Sequence, residues 1–251
     1  MESYATAQQV FAAGLIFARL GALLMVIPGI GEQVVPPRIR LSFAFLMTLM
    51  LYPVLAGGLP ALPTSVGGLA LRVIQEALIG LMIGAILRMF LSSMASAGEI
   101  VSIQTTLAFA QTAAPGQAQP STSVSTFLGL IAVVLIMVTD LHHMFLAAIV
   151  QSYQLFPIAK PAPVADAGQL AIQTMGGSFA LGLQLAAPVV VFSLIFNIAT
   201  GLVGRVMPQF QIFFVASPLM VLFGLSIFAL SLGSIGMIWI DRYRDLVGMF
   251  G

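Results

Sequence analysis

The residues best suited to chemistry lie together in the stretch TDLHHMF, which holds Asp140, His142 and His143. A carboxylate and two imidazoles can bind a transition metal, and they can also relay protons. Adjacent histidines on a helix point about 100° apart, however, and the chain has only 2 histidines and no cysteine. A structural zinc site takes four ligands, so the cluster alone does not predict a metal site. The alternative is a polar helix end at the membrane interface or a subunit contact.

Five further ionisable residues interrupt long apolar runs of the chain. Arg72 and Glu76 are four positions apart and would share one face of a helix. Arg19 has no carboxylate at helical spacing, and Arg88 and Glu99 bracket the end of the third apolar run. Charge inside a membrane is costly and normally faces protein or water, which favours pairing within a helix bundle. A proton or ion path is the alternative.

Enzyme signatures are missing from the sequence. It has no phosphate-binding loop, no nucleophile elbow and no dinucleotide fingerprint, since GIGEQV lacks the third glycine. The sequence shows no constellation of a nucleophile with a general base. We therefore expect a protein without catalytic activity, cofactor or metal.

Composition indicates which elements must position these residues. The chain is 60% hydrophobic and 7% charged, whereas soluble domains are roughly 25% charged. This predicts an all-α, polytopic membrane protein, because helices satisfy their backbone groups internally. A net charge of +1 offers no basic surface for nucleic acid. Glu2 and Arg19 do not fit a cleaved signal, so we expect insertion through the internal segments.

Six apolar segments have the length, about 20 residues, that a membrane-spanning helix needs. They are roughly Val10–Ile30, Leu41–Leu59, Leu69–Leu91, Phe127–Phe156, Phe179–Val203 and Ile212–Ile240. The short link Gly204–Gln211 predicts that the last two form an antiparallel hairpin, and the Pro-rich stretch Pro157–Gln169 is the best linker candidate. Gly80 and Gly84 form a GxxxG motif, which predicts a close helix contact.

Orientation does not follow from the basic residues. With the N-terminus outside, four arginines lie on the inner side, and three arginines and one lysine lie on the outer side. The positive-inside rule then gives no preference. This balance suggests that the chain does not sit in a bilayer as an ordinary transporter does.

Three groups of residues, in order along the chain, carry a family resemblance. The first is Pro28, Gly31, Val35, Pro36, Arg38, Arg40 and Pro53; the second is Asp140, His142, His143, Ser152, Tyr153 and Pro157; the third is Ala187, Pro188, Asn197, Gly201, Arg205, Pro208, Gln209 and Pro218. In these patterns the chain resembles the FliR/SpaR/EscT/HrcT family of type III secretion export-gate subunits. Leu141 stands where the family usually has glycine.

The resemblance implies a structural gate subunit that forms a channel with FliP and FliQ and contacts FlhB and FlhA. It implies a FliP-like part over residues 1–165 fused to a FliQ-like helical hairpin over residues 166–251. Unfolded export substrates would pass through the assembly, which would lie in the bacterial inner (cytoplasmic) membrane at the flagellar basal body. Virulence secretion and a small-solute secondary transporter are the alternatives.

The uncharged, polar segment from about residue 103 to 126 matches the family's plug loop. The pattern is Q-x-x-L-x-F-A-x-x-x-x-P, carried by Gln104, Leu107, Phe109, Ala110 and Pro115. Many relatives have a second phenylalanine where Gln111 stands and an aspartate where Ala114 stands. The resemblance implies plug residues Gln104, Leu107, Phe109, Gln111, Pro115 and Gly116.

The remaining polar positions are expected to be buried polar residues or subunit contacts. They are Arg19, Arg38, Arg40, Arg72, Glu76, Arg88, Glu99, Asp140, His142, His143, Asn197, Arg205 and Gln209.

Overall fold

The computed structural model describes residues 6–27, 31, 35–55, 62–108, 122–158, 164–207, 209 and 211–248. Its helices are α1 (Ala7–Val26), α2 (Pro37–Leu55), α3 (Val66–Gln104), α4 (Ser123–Val138), α5 (Leu141–Leu155), α6 (Val164–Val206) and α7 (Ile212–Gly248). All regular elements across these ranges are helices, which confirms the all-α prediction.

Five of these helices are long and apolar enough to cross a membrane, and six spans result if α4 and α5 count as one bent span. The predicted membrane-type architecture is thereby confirmed. The fourth predicted segment, Phe127–Phe156, is however two helices. Thr139 ends α4, and Asp140 has a φ of 57°, in the left-handed region that few non-glycine residues adopt. Neither glycine nor proline marks this break in the sequence.

The chain forms two compact units that alternate along the sequence. The first unit contains Met1–Phe90, Leu141–Met175 and Leu246–Gly251, and the second contains Leu91–Asp140 and Gly176–Asp245. Helices α3 and α6 each run from the first unit into the second. The resemblance implies a boundary after residue 165, between a FliP-like part and a FliQ-like hairpin. That boundary is defined by likeness to two other families, so the two compact units do not test it and it stays a prediction.

Close packing of α1 on α3 organises the first unit. A Cβ atom on Gly80 would overlap the Arg19 carbonyl group, and one on Gly84 would lie 3.1 Å from the Leu23 carbonyl oxygen. The predicted GxxxG contact is confirmed, because only glycine permits this approach. On the other side of α1, the rings of Phe17 and Phe45 meet edge to face.

The second unit packs α3, α4, α6 and α7 with small residues at the contacts. Gly98 of α3 lies against the backbone of Ser125 in α4, and Gly182 of α6 lies against Ser93 of α3. The buried Trp239 indole of α7 donates a hydrogen bond of 3.1 Å to the Ser93 hydroxyl. The Phe192 and Phe223 rings, 6.3 Å apart, join α6 to α7. This contact bears out the predicted hairpin.

Candidate functional site: an anchored segment and a buried arginine

The predicted plug segment begins where α3 ends, in the second unit. Ser102 and Thr105 are fully buried, and Thr106 leaves the helix with a φ of 60°. Gln104, the last residue of α3, and Leu107, directly after Thr106, are half-buried. Four other predicted plug residues, Phe109, Gln111, Pro115 and Gly116, lie outside the described residues.

The chain returns to the same place at Thr122. The Ser102 hydroxyl donates a hydrogen bond of 2.9 Å to the Thr122 hydroxyl, although the two residues are 20 positions apart. The Thr122 backbone N–H donates to Glu99 Oε1 at 2.9 Å. Thr122 is also the N-cap of α4, where its hydroxyl oxygen accepts from the Ser125 N–H. The segment is therefore closed at its base, with Glu99 as the carboxylate at the α4 N-terminus.

Residues at the start of the segment also bind the α6–α7 hairpin. The Ser193 hydroxyl of α6 donates to Gln104 Oε1 at 2.9 Å. The hydroxyls of Thr106 and Ser217 lie 3.3 Å apart, and Gly224 of α7 lies against the Thr105 side chain. Neutral hydroxyl and amide groups thus attach the end of α3 to both hairpin helices. Uncharged hydrogen bonds of this kind are inexpensive to bury in an apolar bundle when both partners are satisfied.

A second polar centre, in the first unit, surrounds Arg19 of α1. Arg19 is fully buried, and its Nε donates to Glu76 Oε2 of α3 at 2.6 Å. Nη1 donates to the Ser152 carbonyl oxygen at 3.2 Å, and Nη2 donates to the Phe156 carbonyl oxygen at 2.7 Å. The guanidinium also lies 4.0 Å from the centre of the Tyr153 ring. One side chain of α1 thereby joins α3 to the C-terminal end of α5.

The partner of Glu76 differs from the predicted one. Spacing predicted a pair with Arg72 on the same helix, whereas the carboxylate binds Arg19, which lies 57 positions earlier. Arg72 is half-buried and takes part in none of the ion pairs found among the described residues. Full burial explains the choice, because an enclosed guanidinium needs a carboxylate, whereas a partly hydrated one does not.

The other predicted contact residues differ in burial and in hydrogen-bond partners. Arg40 is buried, and its Nε and Nη2 donate to the Val35 carbonyl oxygen at 2.9 and 2.7 Å. The His142 and His143 rings lie 4.1 Å apart, and His142 Nδ1 is buried without a hydrogen-bond partner. The exposed ones are Arg38, Arg88, His143, Asn197, Arg205 and Gln209. Asp140 is also exposed; it ends a segment of the second unit, whereas both histidines belong to the first.

Sequence reasoning missed the hydroxyl groups that anchor the segment. Ser102, Thr122, Ser193 and Ser217 were not among the candidate site residues. For Thr122 a signal existed, because a threonine directly before a helix is a preferred N-cap. The partners of Ser102 and Ser193 are 20 and 89 positions away, beyond the reach of any helical spacing rule.

Comparison with known proteins gives a consistent result. Residues 10–246 match the model of the family described as bacterial export proteins, family 1. A protein of Caulobacter vibrioides named flagellar biosynthetic protein FliR is 58% identical over 250 residues, covering 100% of both chains. Proteins of the same name from Pectobacterium carotovorum and Escherichia coli are 32% and 29% identical, over 83% and 84% of this chain and 79% and 80% of their own.

Proposed function

The chain belongs to the bacterial export proteins of family 1, and we propose that it is a structural subunit of the flagellar type III protein export gate. The full-length similarity to a protein named flagellar biosynthetic protein FliR supports the flagellar system over virulence secretion. In this proposal the subunit assembles with FliP and FliQ in the inner membrane. FlhB and FlhA lie at the base, and the assembly passes unfolded flagellar proteins.

The observation that carries this proposal is the length of the exposed apolar face of α6. Its exposed residues extend from Ile172, which is 75% exposed, to Leu202, which is 61% exposed. At 1.5 Å per residue these two positions are about 45 Å apart along the helix. The exposed apolar residues between them are Met175, Phe179, Leu183, Val191, Leu194, Ile195 and Ile198.

The hydrocarbon core of a bilayer is too thin to cover the whole of that face. The hydrocarbon core is about 30 Å thick, and a helix tilted by about 40° still crosses it in roughly 39 Å. The remainder of the apolar face would meet water unless other protein covers it. This supports an obligate subunit of a larger helical assembly, and it argues against a transporter that works alone.

We further propose that the segment of about 103–126 plugs the closed channel. Two features support this role: the segment carries no charge, and its ends are joined at Ser102 and Thr122. A channel for unfolded chains of any sequence gains from a neutral lining, because fixed charges would retain some substrates and repel others. Apolar constrictions also stop ions by dewetting, a role that suits Leu107 and Phe109.

The buried centre at Arg19 argues against the transporter alternative. A coupling site needs a charged group that changes its partners during transport. The Arg19 guanidinium instead binds Glu76 and two main-chain carbonyl groups at once, an arrangement that suits a fixed structural link.

Native mass spectrometry after co-expression with FliP and FliQ tests the proposal. We expect the chain to be recovered within a complex containing both proteins and to aggregate when expressed alone, because its apolar faces then lack cover. A stable, monomeric chain that binds neither FliP nor FliQ would contradict the proposed function.

A further inference from the structure

Helix α3 carries an exposed row of residues, in the first unit, with heptad spacing. We call the row Leu71, Ile74, Leu78, Leu81, Ala85 and Arg88 the α3 stripe. Successive members are alternately three and four positions apart. Its first four side chains are 57%, 55%, 54% and 46% exposed, Ala85 is half-buried, and Arg88 is exposed. Alternation of three and four is the spacing by which one helix packs along another.

The internal packing of the unit does not use this stripe. The opposite face of α3 holds Glu76, Ile79, Ile83 and Ile86, all buried. Gly80 and Gly84, which contact α1, also lie on that buried side. The α3 stripe is therefore a second packing face that the folded chain leaves uncovered, over about 26 Å of helix.

Arg88 makes lipid a poor cover for the stripe. Residues 77–87 and 89–98 of α3 carry no charge, so Arg88 has about 15 Å of uncharged helix on each side. If α3 crosses a bilayer, Arg88 lies near the midplane, where a charged side chain facing lipid is most costly. None of the ion pairs found among the described residues includes Arg88.

A second copy of the chain is also a poor cover. In a parallel pairing of two stripes, Arg88 would face Arg88, and like charges repel. In an antiparallel pairing, Arg88 would face Leu71 and would be buried without a counter-charge, which is more costly still. Pairing of two α3 stripes is therefore unfavourable, and the covering helix needs an acceptor opposite Arg88.

We propose that the α3 stripe is the docking face for a helix of a different membrane protein, one with an apolar heptad seam and a carboxylate that pairs with Arg88. The identity of the assembly rests on the proposed function, because the partner would be another chain of the export gate. The chemistry of the contact rests on the α3 stripe alone. Pairing at Arg88 would fix the register of the two helices, as single polar positions do in coiled coils.

Site-specific photo-crosslinking in cells that express the whole export apparatus tests this proposal. Benzoylphenylalanine replaces Leu78 or Leu81 in the full chain, and Val66 serves as the control because it is 87% exposed but lies off the stripe. We expect adducts with one other protein from Leu78 and Leu81, and no such adduct from Val66. Arg88→Glu should lower the adduct yield about tenfold or more, whereas Arg88→Lys should largely keep it.

Each outcome decides a separate point. Restoration of the Arg88→Glu adduct by a basic residue in place of an acidic one in the partner would identify the carboxylate. Three results would overturn the docking proposal. They are adducts with a second copy of the chain, adducts with lipid only, and an adduct yield that Arg88→Glu leaves unchanged. The amount of chain in the membrane shows whether each variant folds, which is expected because Arg88 is exposed. An intact FliP–FliQ complex without stripe adducts rejects the docking face alone, whereas absence of that complex rejects the proposed function.

Discussion

The hydroxyl group of Ser102 donates a 2.9 Å hydrogen bond to the hydroxyl group of Thr122, across 20 positions of chain. Ser102 is fully buried near the end of α3, and Thr122 caps the start of α4. The uncharged segment between them therefore starts and ends at one fixed place. Substitutions at Ser102 and Thr122 alter the base of the segment and leave its apolar residues unchanged. The closed base and the apolar seal can therefore be tested separately.

A disulfide at that base should leave export intact. The chain has no cysteine, so any disulfide in Ser102→Cys/Thr122→Cys is the introduced one. We expect the two cysteines to oxidise, because the hydroxyl groups that they replace are in direct contact, 2.9 Å apart. We expect the oxidised variant to secrete flagellar proteins at the wild-type rate, because opening in this account displaces the intervening residues and leaves the base closed. Gel mobility with and without reductant measures the bond, and a secretion assay measures export.

The single variants Ser102→Cys and Thr122→Cys are the controls for loss of the hydroxyl pair. If oxidation stops export and reductant restores it, the base itself must open, and the account of the plug is wrong.

Gly80→Ala should weaken the first unit. The added Cβ would overlap the Arg19 carbonyl group, and overpacking of a tight contact costs about 1–3 kcal/mol. Gly14→Ala is the matched control, because the space beside Gly14 is open. We expect a lower melting temperature for Gly80→Ala in the detergent-solubilised complex and no decrease for Gly14→Ala. Equal melting of the two variants would show that the α1–α3 contact is looser than described.

Removal of one partner of the buried pair should cost more than removal of both. Arg19→Met or Glu76→Met alone leaves a buried charge without its counter-charge, at about 3–5 kcal/mol. The double variant removes both charges, so we expect it to regain much of that loss. Thermal unfolding and the amount of chain in the membrane measure the effect.

Arg242→Met is the control for this comparison. Arg242 is 61% exposed, and its pair with Asp245 is long, at 3.9 Å, so its loss should change stability by less than about 1 kcal/mol. A double variant as unstable as the sum of the two single variants would mean that Arg19 and Glu76 stabilise the unit independently.

The sequence was sufficient to predict features that depend on local pattern. Apolar runs of spanning length predicted the helices, and Gly80 with Gly84 predicted a close contact, because glycine spacing on one helix face is visible in the chain itself. The short link before Ile212 likewise predicted the α6–α7 hairpin.

Features that depend on distant partners could not be predicted in this way. Glu76 was assigned to Arg72 by spacing, yet full burial of Arg19 decides the pair in the folded chain. The break at Asp140 relies on a left-handed residue that is neither glycine nor asparagine. The closure between Ser102 and Thr122 requires both ends of the segment to be in place, which no local rule provides.

The most direct test of the central claim, that this chain plugs an export channel, is the ion conductance of the assembled gate in a planar bilayer. Phe109→Ala and a deletion of residues 107–115 should both raise the conductance of the closed gate while secretion in cells continues. Phe127→Ala is the matched control, because Phe127 lies on α4 beyond the segment and is already 46% exposed; it should conduct as the wild type does. Wild-type conductance in the deletion variant, within a complex of normal composition, would contradict the claim.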